Sequence, residues 1–186
     1  MSVSMAAAIL VFSLAGEFQQ QKPAPQEKPP THDMASCPMH EQHQAEQDQH
    51  HQGVVERGDQ AMGFSHKMTT HHFRLSTDGG AIEAEARDAQ DMVSRDAIRS
   101  HFAHIVKLFA VGDFSIPMLI HAENPPGTET MKRLRDAIRY EVEDTERGGR
   151  IRIATKNAEA LQAVHAFLRF QIADHQTGDS LEVPAP

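Results

Sequence analysis

The sequence predicts an α+β fold in which a four-stranded, mainly antiparallel sheet carries helices packed on one face. Segments that alternate apolar and polar residues occur in two pairs, and a Gly-Gly turn joins the members of each pair. A segment with helical spacing of apolar residues follows each pair. The chain therefore contains a duplicated hairpin–helix unit. Because a two-stranded ribbon is marginally stable alone, we expect the two units to share one sheet.

The first unit begins near His71, with strands on either side of Gly79-Gly80. Successive strand residues point to opposite faces, so His72 lies on the face opposite to His71. The inward-facing residues of this hairpin are His71, Phe73, Leu75, Ile82, Ala84 and Ala86. The helix is predicted over 89–111, with an apolar stripe formed by Ile98, Phe102, Ile105 and Phe109.

The second unit repeats this order around Gly148-Gly149. Its inward-facing strand residues are Ile138, Tyr140, Val142, Ile151 and Ile153. Asn157 is a favourable N-cap for a final helix that runs to about Gln176. A third helix, roughly Glu129–Ala137, follows a proline-rich break and bridges the two halves.

The two units align when the first Gly-Gly pair is placed on the second. With six extra residues allowed in the first helix, Ile98, Ile105 and Phe109 match Leu161, Leu168 and Ile172. Phe167 and Phe170 lie away from the stripe of the last helix, which indicates a second contact surface. That surface would serve either a homodimer through the C-terminal helix or packing against the bridging helix.

The N-terminal third of the chain is expected to lie outside the fold. Residues 1–15 carry no charge and hold an apolar run of signal-peptide length, so we expect a cleaved signal and a periplasmic or secreted protein. Glu17 stands where a lipidated cysteine would be, which argues against a membrane anchor after cleavage. The expected organisation is a Pro/Gln- and His/Met-rich disordered tail over 16–62, the domain over 63–179 and a disordered end over 180–186.

Composition excludes two classes of protein and points to metal chemistry. The 186 residues carry 18 Lys and Arg against 26 Asp and Glu, a formal charge of −8, which disfavours nucleic-acid binding. The only cysteine is Cys37, so a disulfide scaffold is excluded. The chain contains 13 histidines, and imidazole is a common ligand of transition metals.

The tail holds the first candidate metal site. Its candidate ligands are Cys37, Met39, His40 and His43. Thiolate and thioether favour Cu(I), whereas imidazole suits Cu(II) and Zn(II). The run Cys-Pro-Met-His resembles the heavy-metal-binding segments of bacterial efflux proteins, and this resemblance implies copper. The alternative is a solvated linker whose histidines bind nothing.

The folded segment holds the second group of candidates. His101 and His104 share a helix flank at i, i+3, and His121 follows that helix as a third ligand. The full set in the domain is His66, His71, His72, His101, His104 and His121. The alternative is that these are hydrogen-bonded core or boundary histidines. His165 is expected to be a hydrogen-bonded core histidine. Asp174 and His175, with Asp179, could form a pair in which a carboxylate orients an imidazole.

The runs GFSHKMTTHHFRLSTDGG and FLRFQIADHQTGD are similar to a group of uncharacterised secreted bacterial proteins, some of them labelled aspartate carbamoyltransferase. The similarity covers about 62–179 and implies the same location outside the cytoplasm. It implies no carbamoyl transfer, since that activity needs two α/β domains and a Ser-Thr-Arg-Thr phosphate loop, which this chain lacks.

The function predicted from the sequence is therefore an exported transition-metal binder, with copper first and zinc second, for sequestration, delivery or sensing. Phosphate-loop, Gly-x-Ser-x-Gly and haem-attachment motifs are missing from the sequence, so no catalytic residue is assigned. Two alternatives remain at this point. One is a metal-dependent enzyme with a histidine site on the domain, and the other is a domain that binds a small molecule or a partner.

Overall fold

The computed structural model describes residues 38–185, with side chains from 42 onward. The expected signal peptide and Cys37 lie outside the described residues. The elements are α1 (Pro38–Met62), β1 (Thr69–Ser76), β2 (Gly79–Ala86), α2 (Met92–Ala110), α3 (Ser115–His121), α4 (Thr128–Arg133), a short 3-10 turn (Arg135–Ala137), β3 (Ile138–Asp144), β4 (Gly148–Thr155) and α5 (Ala158–Asp174).

The four strands form one antiparallel sheet in the order β1-β2-β4-β3, which confirms the predicted α+β fold. Helices α2 and α5 both pack against this sheet. The stripe predicted for α2, from Ile98 to Phe109, is buried. The opposite face carries charged side chains that pair across strands, including Glu83 with Arg150 and Arg150 with Glu143.

The strand register shows the duplication directly. Thr69 pairs with Ala86 in the first hairpin, and the equivalent pair 69 residues later is Ile138 with Thr155. At the centre of the sheet, Ile82 of β2 lies opposite Ile151 of β4. These two residues occupy equivalent positions in the two units, so a local two-fold axis passes through their pair.

The second contact surface predicted for α5 consists of Phe167 and Phe170. Phe167 is buried and packs edge-on against Phe109 and Phe114, with ring centroids 6.0 and 6.1 Å apart. Phe170 is half-buried beside His121. Pairing of a second copy at this helix stays a prediction. Helix α4 packs along α5. This close approach depends on Gly127, since a Cβ there would lie 2.2 Å from the carbonyl oxygen of Ala163.

Val142 differs from its predicted inward position. It is 37% exposed, although Ile138 on the same strand is buried. The reason is its place on an edge strand, near the end that leads into the turn to β4. The alternation of apolar and polar residues along a strand predicts which face of the sheet a side chain lies on. It does not predict whether the helices on that face extend far enough to cover it.

Helix α1 occupies residues that the sequence analysis assigns to a disordered tail. Residues 42–50 are exposed, whereas Val54 is fully buried. The helix packs mainly against α3, and Arg57 Nε donates to the carbonyl oxygen of Ile120 at 2.8 Å. Its apolar side chains are too few for the sequence to show a helical stripe, and their packing partner is far away in the chain.

Helix α3 was not predicted as a separate element. It begins where Asp113 accepts a hydrogen bond from the backbone N–H of Ser115 at 2.9 Å, and it ends where Ala122 takes a left-handed backbone conformation with φ 56°. Within residues 38–185, no single helix is both long and apolar enough to cross a membrane. Only α2 and α3 pass that test as a pair, and they are bent by 113° relative to each other.

Candidate functional site

Four histidines from four elements line one small cavity beside the core, here called the histidine cavity. They are His71 on β1, His101 on α2, His121 at the end of α3 and His175 after α5. The cavity has a volume of about 60 Å³ and also touches Met62 and Gln171, while the other lining side chains are apolar. This space suits an ion or a few waters, because pockets for organic ligands measure about 300–1,000 Å³.

Strand alternation and helix packing bring these rings together. His71 turns inward from β1, as predicted, and its ring lies 6.2 Å from that of His175. The rings of His121 and His175 are 5.0 Å apart. Phe64 stacks on His71 at 5.7 Å and meets His101 edge-on at 5.8 Å, so it holds both rings in place.

Burial keeps three of the rings neutral. Loss of solvation lowers the pKa of His71 and of His101 from 6.5 to about 4, and that of His175 to about 3. Repulsion between the imidazolium forms acts in the same direction. All three are therefore neutral at neutral pH, and the neutral imidazole is the form that binds metals.

One of these neutral rings also has an unpaired nitrogen atom. His71 Nε2 is buried and has no hydrogen-bond partner. Of the cavity histidines, His71 alone has a ring nitrogen that is both buried and without a partner among the described residues. A buried polar atom left unpaired costs about 1–3 kcal/mol, and each such group requires an explanation. A lone pair directed at a metal ion would supply one.

His121 is held differently, because both of its nitrogens are occupied. Nδ1 lies against Asp174 Oδ2, and Nε2 lies 3.0 Å from Gln171 Oε1. Gln171 Nε2 is itself buried without a partner. If the side-chain amide of Gln171 is rotated by 180°, its Nε2 donates to Nε2 of a neutral His121. The Nδ1–H of the same ring then donates to the carboxylate of Asp174. A carboxylate that orients an imidazole in this way is typical of metal-binding histidines.

Asp174 also connects this site to the surface. Its Oδ1 lies 2.8 Å from His50 Nε2 on α1. Burial alone would raise the pKa of Asp174, but hydrogen bonds from His121 and His50 outweigh it and hold that pKa below the usual 3.8. The carboxylate is therefore ionised and places one negative charge beside the cavity.

The other predicted site residues lie elsewhere. His66 Nδ1 pairs with Asp59 at 3.0 Å, and His72 Nδ1 pairs with Asp179 at 3.0 Å on the opposite face of the sheet. His104 and His43 are exposed. Met39 and His40 belong to α1, but their side chains, like Cys37, are outside the described ones. The tail site therefore stays a prediction.

Two expectations for α5 have clear outcomes. His165 is a satisfied core histidine, since its Nε2 lies 2.9 Å from the carbonyl oxygen of Ser76 and 3.0 Å from that of Gly79. The expected grouping of Asp174, His175 and Asp179 is wrong. Asp174 contacts His121 and His50, while Asp179 binds β1 and the ring of His175 enters the cavity.

Sequence reasoning left His175, Gln171 and Met62 out of the candidate ligands. Gln171 and His175 are spaced i, i+4, so they lie on one face at the end of α5, and this spacing was the available signal. Met62 gave no such signal, because its position depends on how α1 packs.

Two pairs of rings, His71 with His175 and His121 with His175, have a spacing close to that of imidazoles on one ion. Two imidazoles bound at metal–nitrogen distances near 2.0–2.1 Å have ring centres about 5–6 Å apart. Within residues 38–185, however, no three His, Cys, Asp or Glu side chains are arranged so that they could hold a metal ion. Binding would therefore require rings to turn about their side-chain torsions, or Met62 to join them.

Comparison of the chain with protein-family models, curated proteins and solved structures finds no match. The case for a function therefore depends on the residues of the chain and their geometry.

Proposed function

We propose that this protein binds a transition metal ion in the histidine cavity, with Cu(I) as the first choice and Zn(II) as the second. The role would be sequestration, delivery or sensing outside the cytoplasm, without turnover. The observation that supports it best is the buried, unpartnered Nε2 of His71 in a cavity lined by three further imidazoles.

The chemistry of the cavity favours Cu(I) over Zn(II). The desolvation cost of an ion rises with the square of its charge, so a monovalent ion enters an apolar cavity at lower cost. Cu(I) accepts few ligands, and imidazole and thioether both suit it. Neutral rings of His71, His101 and His175 with the thioether of Met62 would supply them, and Asp174 would balance the single charge.

The size of the cavity disfavours an organic ligand or an organic substrate bound inside it. A volume of about 60 Å³ leaves no room for an organic ligand, or for an organic substrate beside an ion. A metal-dependent enzyme would need both in contact. Metal binding without turnover needs only an ion and a path for it.

The tail is proposed as a second, weaker site that passes metal to the cavity. This part of the proposal depends on the sequence of Cys37, Met39 and His40 and on the resemblance of that run to heavy-metal-binding segments. Helix α1 begins at Pro38 and ends at Met62, so the same helix runs from the tail ligands to the cavity wall.

The test is a titration of the purified chain with Cu(I) under reducing conditions, in competition with a chromophoric chelator. We expect one tight equivalent that survives the triple change C37S/M39L/H40Q and is lost in H71F/H175F. His104→Gln is the matched control, since that imidazole is exposed and outside the cavity. Circular dichroism verifies that each variant is folded.

The opposite pattern would contradict the cavity proposal. Tight binding that disappears with the tail variant and persists in H71F/H175F would place the ion in the tail alone. Binding no tighter than that of free histidine in both backgrounds would leave no metal function.

A further inference from the structure

The two edge strands of the sheet, β1 and β3, have different surroundings in the described residues. At the β1 edge, Asp179 Oδ2 accepts the backbone N–H of Phe73 at 2.9 Å, and Oδ1 of the same carboxylate pairs with His72 and Arg74. The segment after α5 therefore occupies that edge. Covering an edge strand in this way prevents pairing with another chain.

The β3 edge has no such cover among the described residues. The local two-fold axis makes Val142 the equivalent of Phe73, and no side chain in the described part of the chain accepts a hydrogen bond from its N–H. Thr145 N–H donates to the carbonyl oxygen of Gly148, and this pair sets the alternation of hydrogen bonds along the hairpin, so the N–H groups of Tyr140 and Val142 point away from β4. The N–H of Ile138 donates instead to the carbonyl oxygen of Arg135. Residues 141–144 are exposed.

The sequence of β3 is complementary to itself in one antiparallel register. With Tyr140 opposite its own copy, Ile138 lies opposite Val142 and Arg139 lies opposite Glu141, and symmetry makes each of these contacts occur twice. Shifting this register by two residues in one direction places Arg139 opposite Arg139, which repel. Shifting it in the other direction places Arg139 opposite Glu143, but it also places Glu141 opposite Glu141 and the apolar Ile138 opposite Asp144. Of these three registers, the one centred on Tyr140 pairs opposite charges, brings no like charges of β3 together and keeps Ile138 opposite an apolar residue.

We propose that two copies of this chain associate through β3, with antiparallel pairing about a two-fold axis at Tyr140. The result is a continuous eight-stranded sheet in which the two copies of Arg139 and Glu141 form reciprocal ion pairs on the outer face. This association is independent of metal binding, since the β3 edge contributes no residue to the histidine cavity.

The test is sedimentation equilibrium of the purified chain over a wide range of concentration. We expect a monomer–dimer equilibrium. Glu141→Lys should weaken it by about tenfold or more, since two attractive pairs worth about 0.2–1 kcal/mol each are lost and like charges then face each other. The swap R139E/E141K should restore the affinity, because the pairs re-form with reversed charge. Val142→Pro should abolish the dimer while leaving the monomer folded, since that N–H faces away from β4.

The matched control is Glu146→Lys, which changes an exposed charge in the turn to β4, outside the proposed pairs. A chain that stays monomeric at all concentrations would overturn the proposal. A dimer that tolerates both E141K and V142P would overturn it too, and would assign the contact to another surface such as α5.

Discussion

The burial of neutral histidines makes the metal-free protein sensitive to acid, and His71 allows the effect to be calculated. Its pKa is about 4 in the folded chain, against an ordinary value of 6.5. At a pH between these two values, the His71 ring binds a proton in the unfolded chain but not in the folded chain. The free energy of unfolding therefore falls as the pH decreases from above 6.5 toward 4. At pH 5 the loss from this ring alone is about 2 kcal/mol. His101 and His175 act in the same direction.

The perturbation is His71→Phe, which removes the titrating group and keeps a ring between Phe64 and His175. The assay is urea denaturation at pH 7.5 and at pH 5, with a chelator present so that bound metal contributes nothing. We expect the variant to lose about 2 kcal/mol less of its unfolding free energy than the wild type on acidification. It should also be no less stable at pH 7.5, since an unpartnered buried nitrogen has been removed.

His104→Gln provides the control for this experiment, because that imidazole is exposed. Its acid response should equal that of the wild type. Equal losses for wild type and His71→Phe would refute the reasoning, because they would show that the ring is not kept neutral by burial. A large loss of stability at pH 7.5 would show that His71 has a hydrogen-bond partner.

Three further predictions follow from single contacts. Asp174→Asn should weaken Cu(I) binding about 10–100-fold, because the ionised carboxylate that would balance the charge of the ion beside the cavity is lost, and competition titration measures it. Gly127→Ala should destabilise the fold by more than about 1 kcal/mol in urea denaturation, since φ is +88° and the added Cβ meets the backbone of Ala163. Ile151→Ala should cost about 2–5 kcal/mol, because this fully buried side chain lies at the centre of the sheet, and a loss below about 1 kcal/mol would argue against that position.

The hairpins and main helices could be predicted because their signals are local. Alternation and a Gly-Gly turn define each hairpin, and the stripe from Ile98 to Phe109 defines α2. Helices α1 and α3 could not be predicted in the same way. Helix α1 has few apolar residues and α3 has only seven residues, and the two helices are stabilised by packing against each other, which no short window of sequence contains.

The candidate site was predicted one histidine at a time. His71, His101 and His121 were chosen from spacing and direction, and all three reach the cavity. His104 does not line the cavity although His101 does, because a separation of three residues rotates a side chain about 60° around the helix axis. His175 was missed because it joins the others only when the end of α5 packs beside α3.

The most direct test of the account is a crystal of the chain loaded with one equivalent of Cu(I), with diffraction recorded on both sides of the copper absorption edge. If the histidine cavity binds the ion, a single strong anomalous peak lies in it, within bonding distance of His71 Nε2 and of at least one other ring or of the Met62 sulfur. A fully loaded crystal with its only copper peak outside the cavity, or with none ordered, would contradict the account.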